Sequence, residues 1–551
     1  MASEAASRNE EFTFTHPGLG SLTGVTRSAS VIQFRSIPYA RIPTRFRQSV
    51  AIDVLQNHER KCIAFGASCP QVPQTLEPFG GPLPTECDMI FDEQECLNLT
   101  VTAPRETLEA AQGASSLPVM VHVHGGGFSV GSHISSVRGF LACQDLLDDA
   151  RSIGASPFNF GLHDQRNALF WIQKHIGGFG GDKTNITAFG ESAGSAALSL
   201  HLCSNTFPLF KRVVLQSGTP ATAAPETNLA VKNEQYNRLL SYCGIDLNAT
   251  DRLEQLRKAP VEKLVKAIGD LRMGLFTPFA EEGLFPIAPN YFNQVELFEK
   301  CSWITDAIIG DCSYEGYLFA EALKHIDLER FVLHFEEKLG KDNATRLLSA
   351  YGIERGLDKN LFWTRLNTLA GDLTFSQSTH SLTNSYALKQ KKQQQLSSHK
   401  TIYRYTLELR NPFPGSIFYG VAGHHFIELL FQFQTLKERY PTDRLRAIST
   451  EFSQRLIKFA VGAAPWSPYE ADEQRIAVVS SRDGWQVFTR EEDMQQALLC
   501  EDGGRRYGAW EVMEEVWTAL ETRADKEDVV RMVGMEGLMG LLGPVPEKGK
   551  E

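Results

Sequence analysis

The pentapeptide GESAG, Gly190 to Gly194, is the feature that most constrains what this chain can fold into. It follows a short apolar run, Ile186 to Phe189, and precedes a helix-compatible stretch, Ala193 to Leu198. The pattern G-x-S-x-G between a strand and a helix predicts a sharp turn that exposes a serine hydroxyl, because glycines on both sides let strand and helix approach closely. Ser192 is therefore the candidate nucleophile.

A glycine-rich motif upstream predicts a binding site for developing negative charge. The apolar stretch Pro118 to Val123 is predicted to be a buried strand, and it leads directly into His124-Gly125-Gly126-Gly127-Phe128. Glycines allow backbone N–H groups to point at an oxyanion without a Cβ in the way, and the residue after the nucleophile adds another N–H. The predicted donors are Gly126, Gly127 and Ala193. An ordinary glycine turn is the alternative interpretation.

Several longer motifs resemble one protein family. The stretch GLHDQRNALFWIQKHIGGFGGDKTNITAFGESAG, Gly161 to Gly194, resembles the signature block of the type-B carboxylesterase/lipase family, the cholinesterase-like branch of the α/β-hydrolases. FRSIPYARIPTRF from Phe34, CPQ from Cys69 and EQECLNLTV from Glu93 follow the family order. The resemblance implies an α/β-hydrolase fold, in which helices flank a central, mostly parallel β-sheet.

The resemblance also implies the acid of a Ser–acid–His triad. The predicted strand Thr305 to Gly310 is followed by DCSYEG, in which Glu315 matches the family's acid position and Asp311 is the competing acid. A buried carboxylate at this point would fix the imidazole tautomer and stabilise the imidazolium. Either residue could instead cap the following helix.

The base is predicted in the segment GVAGHHFIELLFQF, which begins at Gly420 after an alternating strand pattern, Ile402 to Leu409. The family pattern of a histidine followed three residues later by glutamate falls on His425 and Glu428, whereas His424 is one place out of register. The residues alone do not choose between the adjacent histidines, since a lone loop histidine is more often solvated than catalytic. The register of the resemblance favours His425.

One departure from the family pattern concerns the central sheet. Family members place a helix and a complete strand between the GGGF loop and a later Gly-Phe-Leu, here Gly139 to Leu141. Only the stretch Ser129 to Arg138 separates the two motifs, whereas a crossover helix plus a strand needs on the order of twenty residues or more. One central strand is therefore predicted to be deleted. The chain is then either a mis-spliced or internally deleted version of an active esterase, or a real isoform with impaired folding and little activity.

Length and composition limit the remaining possibilities. The 551 residues contain no linker, repeat or compositional break, so we expect residues 1–551 to form a single α/β domain. No run of about eighteen apolar residues is present, which predicts no membrane span. The net charge of −11 argues against a nucleic-acid partner. The polar N-terminus, Met1 to Phe14, lacks the apolar core of a secretory signal and predicts a cytoplasmic location if Met1 is the true start.

The chemistry of metals and thiols adds little to this picture. None of the 14 histidines lies in an H-E-x-x-H pattern, so we expect neither a metal nor a cofactor. Cys69 and Cys96 match a pair that family members often bridge, but in the cytosol free thiols are expected.

The segment between Cys69 and Cys96 contains prolines that would break an amphipathic helical lid: Pro70, Pro73, Pro78, Pro82 and Pro84. This favours an esterase for soluble, moderately apolar esters over an interfacially activated lipase.

Together these observations predict a serine hydrolase that cleaves small-molecule carboxylic esters through an acyl-enzyme, with Ser192, Glu315 and His425 as the triad. Two other functions stay open. The same site could serve a tailoring acyltransferase or dehydratase in a biosynthetic pathway. Alternatively, the chain could be a non-catalytic, cholinesterase-like protein.

Overall fold

The computed structural model describes residues 9–55, 59–72, 79, 89–110, 116–131, 137–271, 277–392, 399–498 and 505–542. Its strands, in chain order, are β1 (Glu11–His16), β2 (Gly20–Ser28), β3 (Val31–Pro38), β4 (Ala40–Arg41), β5 (Val50–Ala51), β6 (Glu59–Lys61), β7 (Asn98–Pro104), β8 (Leu117–Val123), β9 (Gly181–Glu191), β10 (Arg212–Gln216), β11 (Asp306–Cys312), β12 (Thr401–Glu408), β13 (Ile476–Ser480) and β14 (Gly484–Phe488).

The helices surround these strands in sequence and in space. In chain order they are α1 (Arg105–Glu109), α2 (Val137–Phe140), α3 (Gln144–Ile153), α4 (Phe160–His175), α5 (Ala193–Cys203), α6 (Leu229–Cys243), α7 (Arg252–Lys258), α8 (Val261–Asp270), α9 (Gln294–Lys300), α10 (Ala320–Leu323), α11 (Leu328–Leu339), α12 (Lys341–Ala350), α13 (Lys359–Gly371), α14 (Gln377–Lys392), α15 (Ile427–Gln432), α16 (Asp443–Ala460), α17 (Arg490–Leu498), α18 (Tyr507–Leu520), α19 (Lys526–Val533) and α20 (Met535–Gly540).

The main sheet has seven strands in the order β14-β13-β12-β11-β10-β9-β8. Strands β8 to β13 run parallel to one another, and β14 is antiparallel to β13. Side chains of β10 alternate between the two faces: Val213 packs with helices α4 and α5, whereas Val214 packs with α15 and α16. Both valines are fully buried, as expected for a parallel sheet covered by helices on each side. The predicted helix-flanked parallel sheet is therefore present.

A second sheet is formed by the N-terminal strands in the order β1-β2-β3-β7, with β6 pairing β2. Among the described residues, β7 pairs only with β3 and β8 pairs only with β9, so both strands are edges. Yet Val101 of β7 and Val123 of β8 belong to the same hydrophobic cluster. The β-structure is thus divided in two at the position where the sequence predicts a deleted strand.

The edge position of β8 leaves apolar side chains incompletely covered. Val119, Met120 and Val121 are half-buried, in contrast to the fully buried β10. The segment after the predicted deletion supplies no additional strand, because Gln144–Ile153 is the helix α3 and ends at Gly154 in a left-handed conformation. Residues 132–136 lie outside the described part of the chain.

Two further expectations can be compared with the structure. Cys69 and Cys96 are buried and are not joined by a disulfide. A hydrogen bond with Cys69, together with burial, raises the pKa of the Cys96 thiol far above its ordinary value. The described helices include none with the length and apolar character needed to cross a bilayer. Pro73, Pro78, Pro82 and Pro84 lie outside the described residues.

Restoring the deleted segment is expected to stabilise this protein. An inserted helix and apolar strand between Ser136 and Gly139 would cover β8 and bury its half-exposed side chains. Completing the burial of a half-buried side chain contributes about 1 kcal/mol, roughly half of the value for full burial, so a few of them correspond to a rise in Tm of a few degrees in a protein of this size. Differential scanning calorimetry of the chain with and without the insertion measures the effect.

A flexible Gly/Ser insertion of the same length is the control for this comparison. Equal Tm values and soluble yields for the two insertions would contradict a missing strand.

We also expect genomic DNA around the codons for Ser136 to Gly139 to contain a coding segment for a helix and a strand. Sequencing the transcripts tests this directly.

Candidate active site

Ser192 forms the turn between a strand and a helix. Strand β9 ends at Glu191 and helix α5 begins at Ala193, so one residue makes the whole turn. Ser192 has φ 64° and ψ −120°, a conformation that is strained for a residue with a Cβ. Its N–H donates to the carbonyl of Gln216 at 2.8 Å. This is the geometry of a nucleophile elbow, as the GESAG motif predicts.

The glycines of the motif are required by close backbone packing. A Cβ on Gly194 would lie 2.2 Å from the carbonyl oxygen of Val123, at the end of β8. A Cβ on Gly190 would lie 2.8 Å from the same oxygen and from the backbone of Gly194. These distances are far below van der Waals contact, so only glycine lets β8, β9 and α5 meet here.

The glycine loop after β8 packs directly against the elbow. A Cβ on Gly125 would lie 3.2 Å from the Cβ of Ser192. Gly126 and Gly127 follow with φ 104° and 60°, in the left-handed region that favours glycine. The amides of Gly126, Gly127 and Ala193 donate no hydrogen bond to the described residues. The glycine loop therefore contacts the elbow through Gly125, and the role of Gly126, Gly127 and Ala193 as oxyanion donors stays a prediction.

His425 and Glu315 form a buried hydrogen-bonded pair. The imidazole Nδ1 lies 2.6 Å from Oε2 of Glu315, and both residues are almost completely buried. The other carboxylate oxygen accepts hydrogen bonds from Ser217 Oγ and from the N–H of Cys312, each at 2.7 Å. Three partners thus fix the carboxylate, and the carboxylate fixes the orientation of the imidazole.

The free nitrogen of His425 points to the elbow. Its Nε2 lies 3.1 Å from Oε1 of Glu191, the residue before Ser192. This contact lacks hydrogen-bond geometry, and Nε2 has no hydrogen-bond partner in the described part of the chain. The structure therefore brings the His425–Glu315 pair against Glu191, which precedes Ser192 in the chain, and it shows no hydrogen bond between the Ser192 hydroxyl and the imidazole among the described residues. Catalytic hydrogen bonds of this kind often tighten only when substrate binds.

The two competing residues are engaged elsewhere. Asp311 forms an ion pair with Arg404 at 2.8 Å, and both side chains are buried. His424 Nδ1 lies 2.6 Å from the carbonyl oxygen of His425, and its ring stacks on Phe418. Burial lowers the pKa of His424 to about 3. Neither Asp311 nor His424 contacts Ser192 among the described interactions.

Two residues near His425 have contacts that the sequence did not predict: Phe375, which no motif indicated, and Glu428, which the family pattern placed three residues after His425. The ring of Phe375 stacks on the imidazole with centroids 4.3 Å apart. Phe375 lies in a π-helical turn, Asp372–Ser376, a feature often found at functional sites. Glu428 is fully buried and accepts hydrogen bonds from Cys312 Sγ at 2.9 Å and Ser217 Oγ at 3.4 Å. No motif in the sequence indicates the Phe375 contact, because it depends on the turn.

The carboxylates around His425 control its charge. Burial alone would lower the pKa of His425, but Glu191 and Glu315 raise it to about 9. Burial in turn raises the pKa of Glu191 above its usual range. The ionised carboxylates favour the imidazolium form of His425, and Glu191, whose own pKa is raised, contributes to this only at pH values at which it has lost its proton. The neutral imidazole, which can accept a proton, becomes the main species only at alkaline pH.

Comparison with known proteins places this geometry in a family. The Carboxylesterase family model matches residues 15–148 and 137–500, two parts that overlap over residues 137–148, next to the predicted deletion. The chain is 30% identical over 339 residues to lipase 4 of Diutina rugosa, covering 52% of this chain and 59% of that relative. It is 26% identical over 475 residues to lipase 3 of Yarrowia lipolytica, covering 81% of this chain and 88% of that relative.

The fold is also that of a solved esterase structure. A PNB esterase superposes with a TM-score of 0.66 at 23% identity, covering 88% of this chain and 98% of the esterase. The predicted family and the predicted fold class are both confirmed. The chain belongs to the carboxylesterase family and is a carboxylic ester hydrolase with the α/β-hydrolase fold.

Proposed function

We propose that this protein hydrolyses small, soluble carboxylic esters through an acyl-enzyme formed on Ser192. The observation that supports the proposal is the strained turn at Ser192, whose preceding residue, Glu191, contacts the imidazole of the hydrogen-bonded His425–Glu315 pair. Nothing in the described residues favours the acyltransferase, dehydratase or non-catalytic alternatives over hydrolysis. The prolines between Cys69 and Cys96 support a soluble ester over a lipid droplet as substrate.

The first half of the reaction acylates the enzyme. His425 Nε2 takes the proton of the Ser192 hydroxyl as the oxygen attacks the ester carbonyl. Glu315 holds the Nδ1 proton and stabilises the imidazolium that results. The N–H groups of Gly126, Gly127 and Ala193 stabilise the tetrahedral oxyanion.

The second half regenerates the free enzyme. The imidazolium gives its proton to the leaving alkoxide, so the alcohol departs and the acyl group remains on Ser192. Water then attacks the acyl carbonyl while His425 again accepts a proton. The carboxylic acid leaves and the serine hydroxyl is restored. The net reaction consumes one ester and one water and produces one acid and one alcohol.

Replacing Ser192 by alanine is expected to reduce kcat/KM for p-nitrophenyl butyrate by roughly 10³-fold or more, because the nucleophile is lost. Labelling by a fluorophosphonate, located by peptide mass spectrometry, should disappear in the same variant. Ser199→Ala is the control, since Ser199 lies in the same helix and its hydroxyl bonds only the backbone of Ala196. Wild-type turnover in Ser192→Ala would disprove the mechanism.

Exchanges at the acid and base positions separate the triad from its neighbours. Glu315→Gln and His425→Ala should each lower kcat per labelled active site by roughly 10³-fold. Asp311→Asn should instead lower Tm, because Arg404 would remain buried without its ionic partner. His424→Ala should keep most of the activity. If His424→Ala lost turnover and His425→Ala stayed active, the assignment would be wrong and His424 would be the base.

The pH profile tests the charge environment of His425. The neutral imidazole is the base, so kcat/KM should rise as pH increases through the pKa of His425, at about 9. Glu191→Gln removes a negative charge that stabilises the imidazolium, so the rising limb should move to lower pH by about one to two units. Glu296→Gln, an exposed exchange far from the site, is the control. An unchanged limb in Glu191→Gln would contradict the assigned cause of the shift.

A further inference from the structure

The side chain of Gln71 binds the backbone at the end of the oxyanion loop, which is the glycine loop from His124 to Gly131 that follows β8. Its Oε1 accepts a hydrogen bond from the N–H of Gly131 at 2.7 Å, and its Nε2 donates to the carbonyl of the same residue at 2.5 Å. Nε2 also donates to the carbonyl of Cys69 at 3.0 Å. Gln71 is buried, with 8% of its surface exposed. One amide therefore joins two segments that are 60 residues apart in the chain.

Gly131, at the end of the oxyanion loop, packs against His124, at its start. It has φ 129°, and a Cβ there would lie 2.2 Å from Nδ1 of His124. Between these two ends, the N–H groups of Ser129 and Val130 both donate to the carbonyl of Gly126. The position of Gly126 therefore depends on both ends of the loop. One end packs on the elbow, and Gln71 holds the other.

The split sheet makes this contact important. Strand β8, which leads into the loop, pairs with β9 on one side and with no other described strand. The loop is therefore not supported by a second neighbouring strand. The paired hydrogen bonds of Gln71 replace part of that support, because they fix both the N–H and the carbonyl of one residue.

We propose that Gln71 is a positioning residue for the oxyanion hole. This inference rests on the proposed function, since it assigns a role within the same reaction. Gln71 does not touch the reacting atoms; it acts by holding the amides of Gly126 and Gly127 where the oxyanion forms. Such preorganised donors stabilise the tetrahedral transition state more than the bound ester. Loss of the contact should therefore lower kcat and leave KM nearly unchanged.

Two exchanges at this position test the proposal. Gln71→Leu removes both hydrogen bonds to Gly131, and Gln71→Glu at neutral pH places carboxylate oxygens against two carbonyl groups. A displacement of about 1 Å in a catalytic group can cost about 10²-fold in rate. We expect kcat per labelled active site to fall roughly 10- to 100-fold in both variants, with KM changed by less than about threefold.

A tetrahedral inhibitor separates positioning from general damage. The affinity for an aryl trifluoromethyl ketone, which forms a tetrahedral adduct on the serine, should fall in parallel with kcat. The affinity for the planar carboxylic acid product should not change. Gln173→Glu is the matched control, because Gln173 also bonds two backbone carbonyls, of Pro208 and Leu209, away from the site.

The pH dependence of Gln71→Glu gives a rescue that a structural defect would not show. A protonated glutamic acid offers one donor and one acceptor, so it can bond both the carbonyl and the N–H of Gly131. Burial should raise the pKa of this new carboxyl group. The ratio of kcat for Gln71→Glu to kcat for the unsubstituted protein should therefore increase as pH falls. Gln71→Leu should show no such increase.

The outcomes are distinguishable. If the unsubstituted protein neither hydrolyses esters nor labels at Ser192, the proposed function fails and this inference fails with it. If that protein is active but both Gln71 variants keep its kcat, only the role of Gln71 is overturned. Parallel losses of kcat, product affinity and Tm, without recovery of Gln71→Glu at low pH, would also overturn it, because they indicate a fold contact only.

Discussion

The whole site depends on one close backbone contact between the strands β8 and β9 and the helix α5. The end of β8, the end of β9 and the start of α5 come together where a Cβ on Gly194 would lie 2.2 Å from a carbonyl of β8. This contact sets Ser192 in its strained turn and brings the oxyanion loop against it. The strain persists because the parallel register of β8 and β9 and the packing of α5 determine the position of every neighbouring atom.

Buried charge is the second constraint on the site. Glu191, Glu315 and Glu428 are all buried around a single imidazole, and each loses favourable hydration there. The arrangement is tolerable because the carboxylates accept several hydrogen bonds and the imidazolium offsets part of their charge. The same arrangement raises the pKa of His425 to about 9, since the ionised carboxylates around the imidazole favour its protonated form.

The sequence predicted the features that have local signals. The elbow at Ser192 and the glycine loop are short motifs with a mechanical reason, and the prediction of a deleted strand follows from counting residues between two motifs. The choice of Glu315 and His425 required the register of the family, because neighbouring residues have equivalent chemistry. Gln71 lies in the CPQ motif, but that motif does not indicate its contact with Gly131, and no motif indicates the contact of Phe375 with His425. Both contacts join segments that are far apart in the chain, and only the folded protein brings these segments together.

The division of the β-structure into two sheets leaves the glycine loop on an edge strand, whereas Ser192, Glu315 and His425 follow strands inside the main sheet. Strands β9 to β13, which carry Ser192 and precede the loops of Glu315 and His425, keep neighbours on both sides. The glycine loop instead follows β8, an edge strand with half-exposed valines. Unpaired edges are the parts of a sheet that fray and associate most readily. The unpaired edge of β8 therefore lies on the side of the site that carries the glycine loop, whereas Ser192, Glu315 and His425 follow strands in the continuous part of the sheet.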